Sequence, residues 1–138
     1  MEPWETAARE EIRELVARYN HLGDSAKLDQ LALLFEDDAV FEIDREPGTL
    51  VGPPAIAGFL GGLATDHVAA ADQTYMRHHV SNLTIDFESP TVAHGAAYWL
   101  VLTDTGPSSW GRYRDTYRCG ADGRWRFARR RVRGDHRA

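Results

Sequence analysis

Arg77-His78-His79-Val80-Ser81-Asn82-Leu83-Thr84-Ile85-Asp86-Phe87 opens a run of strand-forming sequence that fills the second half of the chain. From Leu83 onward apolar and polar residues alternate. Leu83, Ile85 and Phe87 share one face and Thr84 and Asp86 the other, the period of two that marks a half-buried strand. Two adjacent histidines therefore stand where a strand begins. Successive side chains on a strand point to opposite faces, so one histidine looks into the protein and the other away from it. Strict alternation carried backwards groups His79 with Leu83, Ile85 and Phe87, and sets His78 on the opposite side.

Three more strands follow: Thr91 to Thr103, Trp110 to Cys119, and Trp125 to Arg133. The turn signals between them are Glu88-Ser89-Pro90, Asp104 to Ser109, and Gly120-Ala121-Asp122-Gly123. Upstream the period changes. Between Thr6 and about His21, Ile12, Leu15, Val16 and Tyr19 recur at helical spacing, with Thr6 as the predicted N-cap and Gly23 as the stop. Asp24 or Ser25 can cap a second helix whose buried stripe is Leu28, Leu31, Leu34 and Phe35. Ala39 to Ile43 reads as a strand, Asp44 to Gly48 as a turn, and Thr49 to Val51 as a short extended piece. Gly52-Pro53-Pro54 then launches a third helix with Ile56, Phe59, Leu60 and Leu63 on its face. Ala64 to Gln73 has no firm period and reads as a loop. Three helices followed by hairpin-connected strands predict an α+β domain, with the helices packed on one face of a strongly curved antiparallel sheet.

A chain of 138 residues is the size of one domain, here 1–138. Its 43% hydrophobic and 27% charged residues are globular values, and no apolar run is long enough to cross a bilayer. The acidic start Met1-Glu2-Pro3-Trp4-Glu5 lacks the features of a secretory signal, so a cytoplasmic location is expected. Cys119, the one cysteine, has no partner for an internal disulfide and reads as a small residue in a strand. The net charge of −5 argues against a nucleic-acid binder. Arginines nevertheless crowd Arg124 to Arg133, and the strand-like apolar punctuation there reads as a strand whose arginines pair with acidic groups or line an anionic site.

Four polar groups lie on or beside apolar stripes: Tyr19 on helix 1, Asp24 at the turn after it, one of His78 and His79, and Asp115 within the aromatic strand. If the helices cover the concave face of the sheet, these groups converge on an enclosed pocket for a small-molecule ligand. Each also has an ordinary structural use: a core-edge tyrosine, an N-cap, a satisfied histidine, and a salt bridge from Asp115 to Arg112, Arg114 or a tail arginine. Among the six histidines, adjacent His78 and His79 point apart and no pair has metal-ligand spacing, so no metal is expected. Gly58 to Gly62 does not follow a strand, so it is not a phosphate-binding loop.

The passage from Arg18 to Leu31, with Leu34 to Ala39, Gly52 to Ile56, the His78-x-x-x-Asn82 spacing and Gly111 to Tyr117 ending in Asp122 to Phe127, resembles the SnoaL-like branch of the NTF2-like superfamily. The resemblance spans nearly the whole chain and implies a cone of curved sheet closed by helices around a deep pocket, with a homodimer as the assembly. Scytalone dehydratases and the hexachlorocyclohexane dehydrochlorinase pair an aspartate after helix 1 with a histidine opening the third strand. Those positions match Asp24 and His78. A carboxylate that fixes the imidazole tautomer while the other nitrogen takes a proton is sound chemistry, and an ordinary imidazole pKa near ~6.5 suits it. That register requires a bulge before Leu83 to turn His78 inward. Tyr19 matches the oxyanion-stabilising tyrosine of ketosteroid isomerases and Asp115 approximately their oxyanion aspartate, but their catalytic base position falls at Ile43. The later histidine of the dehydratases is also absent, with Trp110, Arg112, Tyr113 and Arg114 in its region. The resemblance thus implies a lyase or isomerase without cofactor, with Asp24, His78 and Tyr19 catalytic and His79, Arg112 and Asp115 meeting the substrate.

Overall fold

The structure, a computed structural model, describes residues 1–69 and 75–137, with side chains described for these except 64–69 and 137. Helix α1 spans Pro3–Asp24 and buries Ile12, Leu15, Val16, Tyr19 and Leu22, the stripe that the helical period predicts. It starts three residues before the predicted cap at Thr6, because Pro3 occupies the first turn, where its missing N–H costs nothing. At the other end it runs through Gly23 to Asp24. Ser25 then closes it, its N–H meeting His21 O and its Oγ bonding the same carbonyl at 2.7 Å.

The second helix is much shorter than its stripe suggests. Helix α2 is only Leu28–Ala32, its N-cap position is Lys27, and no side chain caps it. Neither Asp24 nor Ser25 serves as that cap. Phe35 is not on the helix but opens β1, Phe35–Ile43, which is followed by β2, Thr49–Val51. Helix α3 spans Pro53–Ala69, so the first part of the predicted loop is helical; residues 70–73 of that loop lie outside the described residues.

Four long strands complete the chain: β3 Met76–Ser89, β4 Val92–Thr103, β5 Gly106–Cys119 and β6 Trp125–Arg137. The predicted turn from Asp104 to Ser109 is shorter in the fold. Gly106, at φ +112°, already begins β5. All six strands form one curved, open sheet in the order β2-β1-β6-β5-β4-β3. Every ladder is antiparallel except β1 with β6, which is parallel, so the curved sheet is mostly antiparallel. Residues far apart in sequence make that ladder, so no local pattern announces it.

The helices lie on the concave face, where α1 packs against β3 and β6. The core there is aromatic. Phe35 lies 5.1 Å from Phe127, and Tyr19 lies 5.6 Å from Phe127, centroid to centroid. Close packing on this face demands small residues in places: a Cβ on Gly95 would sit 2.4 Å from the Tyr117 hydroxyl.

On β3 the alternation is interrupted once. Met76, His78 and Val80 are partly buried and Arg77, His79 and Ser81 are exposed, but Ser81 and Asn82 are exposed in succession. The ladder to β4 shifts register between Ser81 and Thr84, and Asn82 takes φ +58°. After this bulge Leu83, Ile85 and Phe87 face the core. One extra residue therefore puts His78 on the same face as Leu83, where uninterrupted alternation would have put His79.

Candidate active site

A cavity of about 270 Å³ opens between the helices and the concave sheet. Its walls are mostly apolar, with Phe41, Phe59, Leu60, Trp99, Val101 and Val132 contributing. Tyr19, Asn20, Asp24, His78 and Tyr113 gather as a polar group within this lining.

Asp24 and His78 are brought together by the end of α1 and the start of β3. His78 Nδ1 lies 2.6 Å from Asp24 Oδ1, and the His78 backbone N–H donates to Asp24 Oδ2 at 2.8 Å. The carboxylate thus grips both the ring and the main chain of one residue, and its side chain is only 9% exposed. A carboxylate can only accept, so Nδ1 carries a proton and Nε2 is the nitrogen left to accept one. The Trp99 ring, which also lines the cavity, lies 6.4 Å from the imidazole, centroid to centroid.

Tyr19 is buried and lines the same cavity. Burial, reinforced by neighbouring Tyr113 and Asp115, pushes its hydroxyl far above the ordinary tyrosine value even though Arg130 opposes this. The phenol is therefore a protonated donor at neutral pH.

Three of the expected site residues lie elsewhere. His79 is exposed on the far face of β3, turned outward by the alternation ahead of the bulge. Arg112 also faces outward, with Nε 3.1 Å and Nη2 3.0 Å from Asp135 Oδ1. Asp115 does face inward, but it does not line the cavity. Arg130 Nε and Nη2 donate to its two oxygens at 2.8 and 3.0 Å, and the Tyr117 hydroxyl donates to Oδ2 at 2.8 Å. Both side chains of this ion pair are 0% exposed. Burial opposes the charge of Arg130, yet Asp115 and the adjacent phenols hold its pKa above the ordinary arginine value. Its guanidinium carbon lies 3.6 Å from the Tyr113 ring centroid and 4.3 Å from that of Tyr19.

Asn20, Trp99 and Tyr113 are the cavity residues that motif reading passes over, whereas the pairing of Asp115 with a tail arginine was among its readings. Tyr113 has a local signal, since it shares strand parity with Asp115. The partner of Asp115 is directly opposite it in the β5–β6 ladder, a register that only the folded sheet supplies. Three other β6 arginines meet acids as the charge pattern suggested. Arg129 and Arg131 reach Glu42, and Arg126 reaches Asp122 at 2.6 Å. Among the described residues no group of three histidine, cysteine or acidic side chains could hold a metal ion, and no helix is long and apolar enough to cross a membrane.

The sequence profile of the SnoaL-like domain matches residues 4–131. The chain belongs to the SnoaL-like domain family. Solved structures agree with that placement. An NTF2-like protein with a cystatin-like fold from Novosphingobium aromaticivorans is 28% identical, with a TM-score of 0.79 over 92% of this chain and 81% of its own. A scytalone dehydratase-like protein from the same organism is 24% identical, with a TM-score of 0.82 over 100% and 91%. A hexachlorocyclohexane dehydrochlorinase from Novosphingobium barchaimii is 21% identical, with a TM-score of 0.81 over 98% and 91%. No curated protein matches the chain in sequence. The SnoaL-like chain thus has the NTF2-like architecture that its sequence resembles.

Proposed function

We propose that this SnoaL-like protein is a cofactor-independent lyase or isomerase acting on a small, mostly apolar cyclic compound. His78 is the general base, Asp24 orients it and supports its positive charge, and Tyr19 donates a hydrogen bond to an oxygen of the substrate. One observation carries the reading: the 2.6 Å contact from Asp24 Oδ1 to His78 Nδ1, made in the wall of a largely apolar cavity. That contact leaves Nε2 as the basic nitrogen. The cavity, about 270 Å³, is close to the lower end of small-molecule sites, roughly 300 Å³, which suits a single or fused ring. The neighbours named for dehydration and dehydrochlorination support an elimination. Imidazole-mediated proton transfer of this kind draws on the chain's own groups alone.

The test is turnover of a panel of cyclic hydroxyketones, cyclic enones and halocyclohexanes by the native protein, His78→Ala and Asp24→Asn. Loss of the base is expected to lower the rate about 10²- to 10⁴-fold, and Asp24→Asn to lower it in the same direction, with the fold of both variants retained. A His78→Ala protein as fast as the native one would sink the mechanism. Ligand binding without turnover of any panel member would identify a non-catalytic binding domain instead.

A further inference from the structure

A second concavity, of about 910 Å³, lies between the last turns of α1, the turn that follows it and the start of β3. It shares only Asn20, Asp24 and His78 with the apolar cavity, so these three form the partition between the two spaces. Each is already engaged. Asp24 holds His78, and the Asn20 amide donates to the Tyr113 hydroxyl at 3.2 Å. Away from the partition the lining is cationic, with Arg18, Lys27 and Arg77 set against Glu14 and Asp24 in a chain whose net charge is −5.

Both carboxylates are committed, Glu14 to Arg18 at 3.4 Å and Asp24 to His78 at 2.6 Å. Lys27 and Arg77 have no acidic partner among the described residues. Arg77 gives one N–H to the Met76 carbonyl at 2.9 Å and lies over the Tyr75 ring, which leaves the rest of its donor fork unused. Lys27 is set in place by its backbone N–H, bonded to Leu22 O at 2.9 Å, just after Ala26 turns the chain at φ +56°. His79, which the apolar cavity does not use, lines this cleft beside Arg77, two residues away on the outward face of β3, and His21 enters it from the last turn of α1.

Charge and donor type decide what such a cleft takes. Guanidinium and ammonium groups only donate, and each imidazole offers at least one N–H, so the ligand must be rich in acceptors and negative. A carboxylate balances one of the two unpaired cations. A phosphate group carries about −1.5 to −2 charge at pH 7 and three acceptor oxygens, enough to meet both and the histidines beside them. We infer that this outer cleft binds a phosphate dianion, free or as a monoester, through Lys27, Arg77, His21 and His79. The volume falls within the range of small-molecule sites, roughly 300–1,000 Å³, and leaves room for an organic group on the phosphate.

Calorimetric titration of inorganic phosphate and of phenyl phosphate into the native protein, at an ionic strength held constant with sodium chloride, tests the site. Lys27→Gln combined with Arg77→Gln is expected to weaken both ligands about 10-fold, the effect of two charge-assisted hydrogen bonds in a solvated cleft. His79→Ala is expected to weaken them several-fold, roughly the effect of one hydrogen bond. Arg114→Gln combined with Arg124→Gln removes the same charge from exposed positions outside the cleft and is expected to leave both affinities unchanged. Equal affinities for the two ligands assign the site to free phosphate, and tighter binding of phenyl phosphate assigns it to a monoester. No binding of either ligand by the native protein overturns the inference. So does an unchanged affinity in the Lys27/Arg77 variant, or an equal loss in the Arg114/Arg124 variant, which marks general charge attraction only. These affinities are read without turnover, so a failure of this site is seen apart from a failure of His78 as the base.

Discussion

Both oxygens of Asp24 are committed to His78, one to the ring and one to the backbone, so a single side chain joins the end of α1 to the start of β3. That aspartate was legible as a candidate, but its spacing was equally that of a helix cap. The choice is made by geometry, because the segment after α1 turns without using Asp24 and leaves its carboxylate free to reach β3. Asp115 was the opposite case. Its inward parity was readable, but instead of lining the pocket it pairs with Arg130. The pair is structural, and removing one member strands the other in a site without water. Asp115→Asn is expected to destabilise the protein by about 3–5 kcal/mol, measured by urea unfolding. A loss below about 1 kcal/mol, the worth of an exposed pair, would contradict the burial described for it. Asn20 and Tyr113 show why the remaining polar residues escape motif reading: neither has a partner within its own element.

At the scale of elements, the bulge on β3 decides which histidine meets the cavity. Alternation from Leu83 was read correctly, and its backward extension to His79 fails because Asn82 inserts one residue with φ +58°. Asparagine tolerates the left-handed region, whereas a β-branched residue there is strained. Asn82→Gly is expected to unfold at a urea midpoint close to that of the native protein, and Asn82→Val to lose about 1–2 kcal/mol. If valine were accommodated without loss, the bulge would not depend on that backbone conformation. The extended β5 and the short α2 were misjudged for a related reason. Gly106 to Ser109 carries turn-like residues that strand pairing overrides, and Phe35 continues a helical stripe although β1 claims it for the sheet core.

For the molecule as a whole, element types and the helices-on-sheet class followed from periodicity, whereas strand order did not, since the β1–β6 ladder joins residues roughly ninety positions apart. The concave core also fixes a response to alkali. Tyr19, Tyr113 and Tyr117 are buried, and burial raises the pKa of each. Unfolded tyrosine ionises near ~10, so above that pH the unfolded chain binds fewer protons than the native one and stability falls as pH rises. Lys27 is the one lysine, which leaves tyrosine as the main source of the slope. Urea unfolding from pH 8 to 11 is expected to show no tyrosine-linked change until about pH 10 and a progressive loss above it; a flat profile to pH 11 would contradict the buried phenols. The place of β6 between β1 and β5 has a consequence in time. During synthesis β6 emerges after every strand it joins, and until it arrives no ladder of the native sheet connects β2-β1 with β5-β4-β3. Arg130 arrives on that same strand. The nascent chain therefore holds Asp115 without its cation and the aromatic floor without its centre, and folding waits for the final strand to zip the halves together.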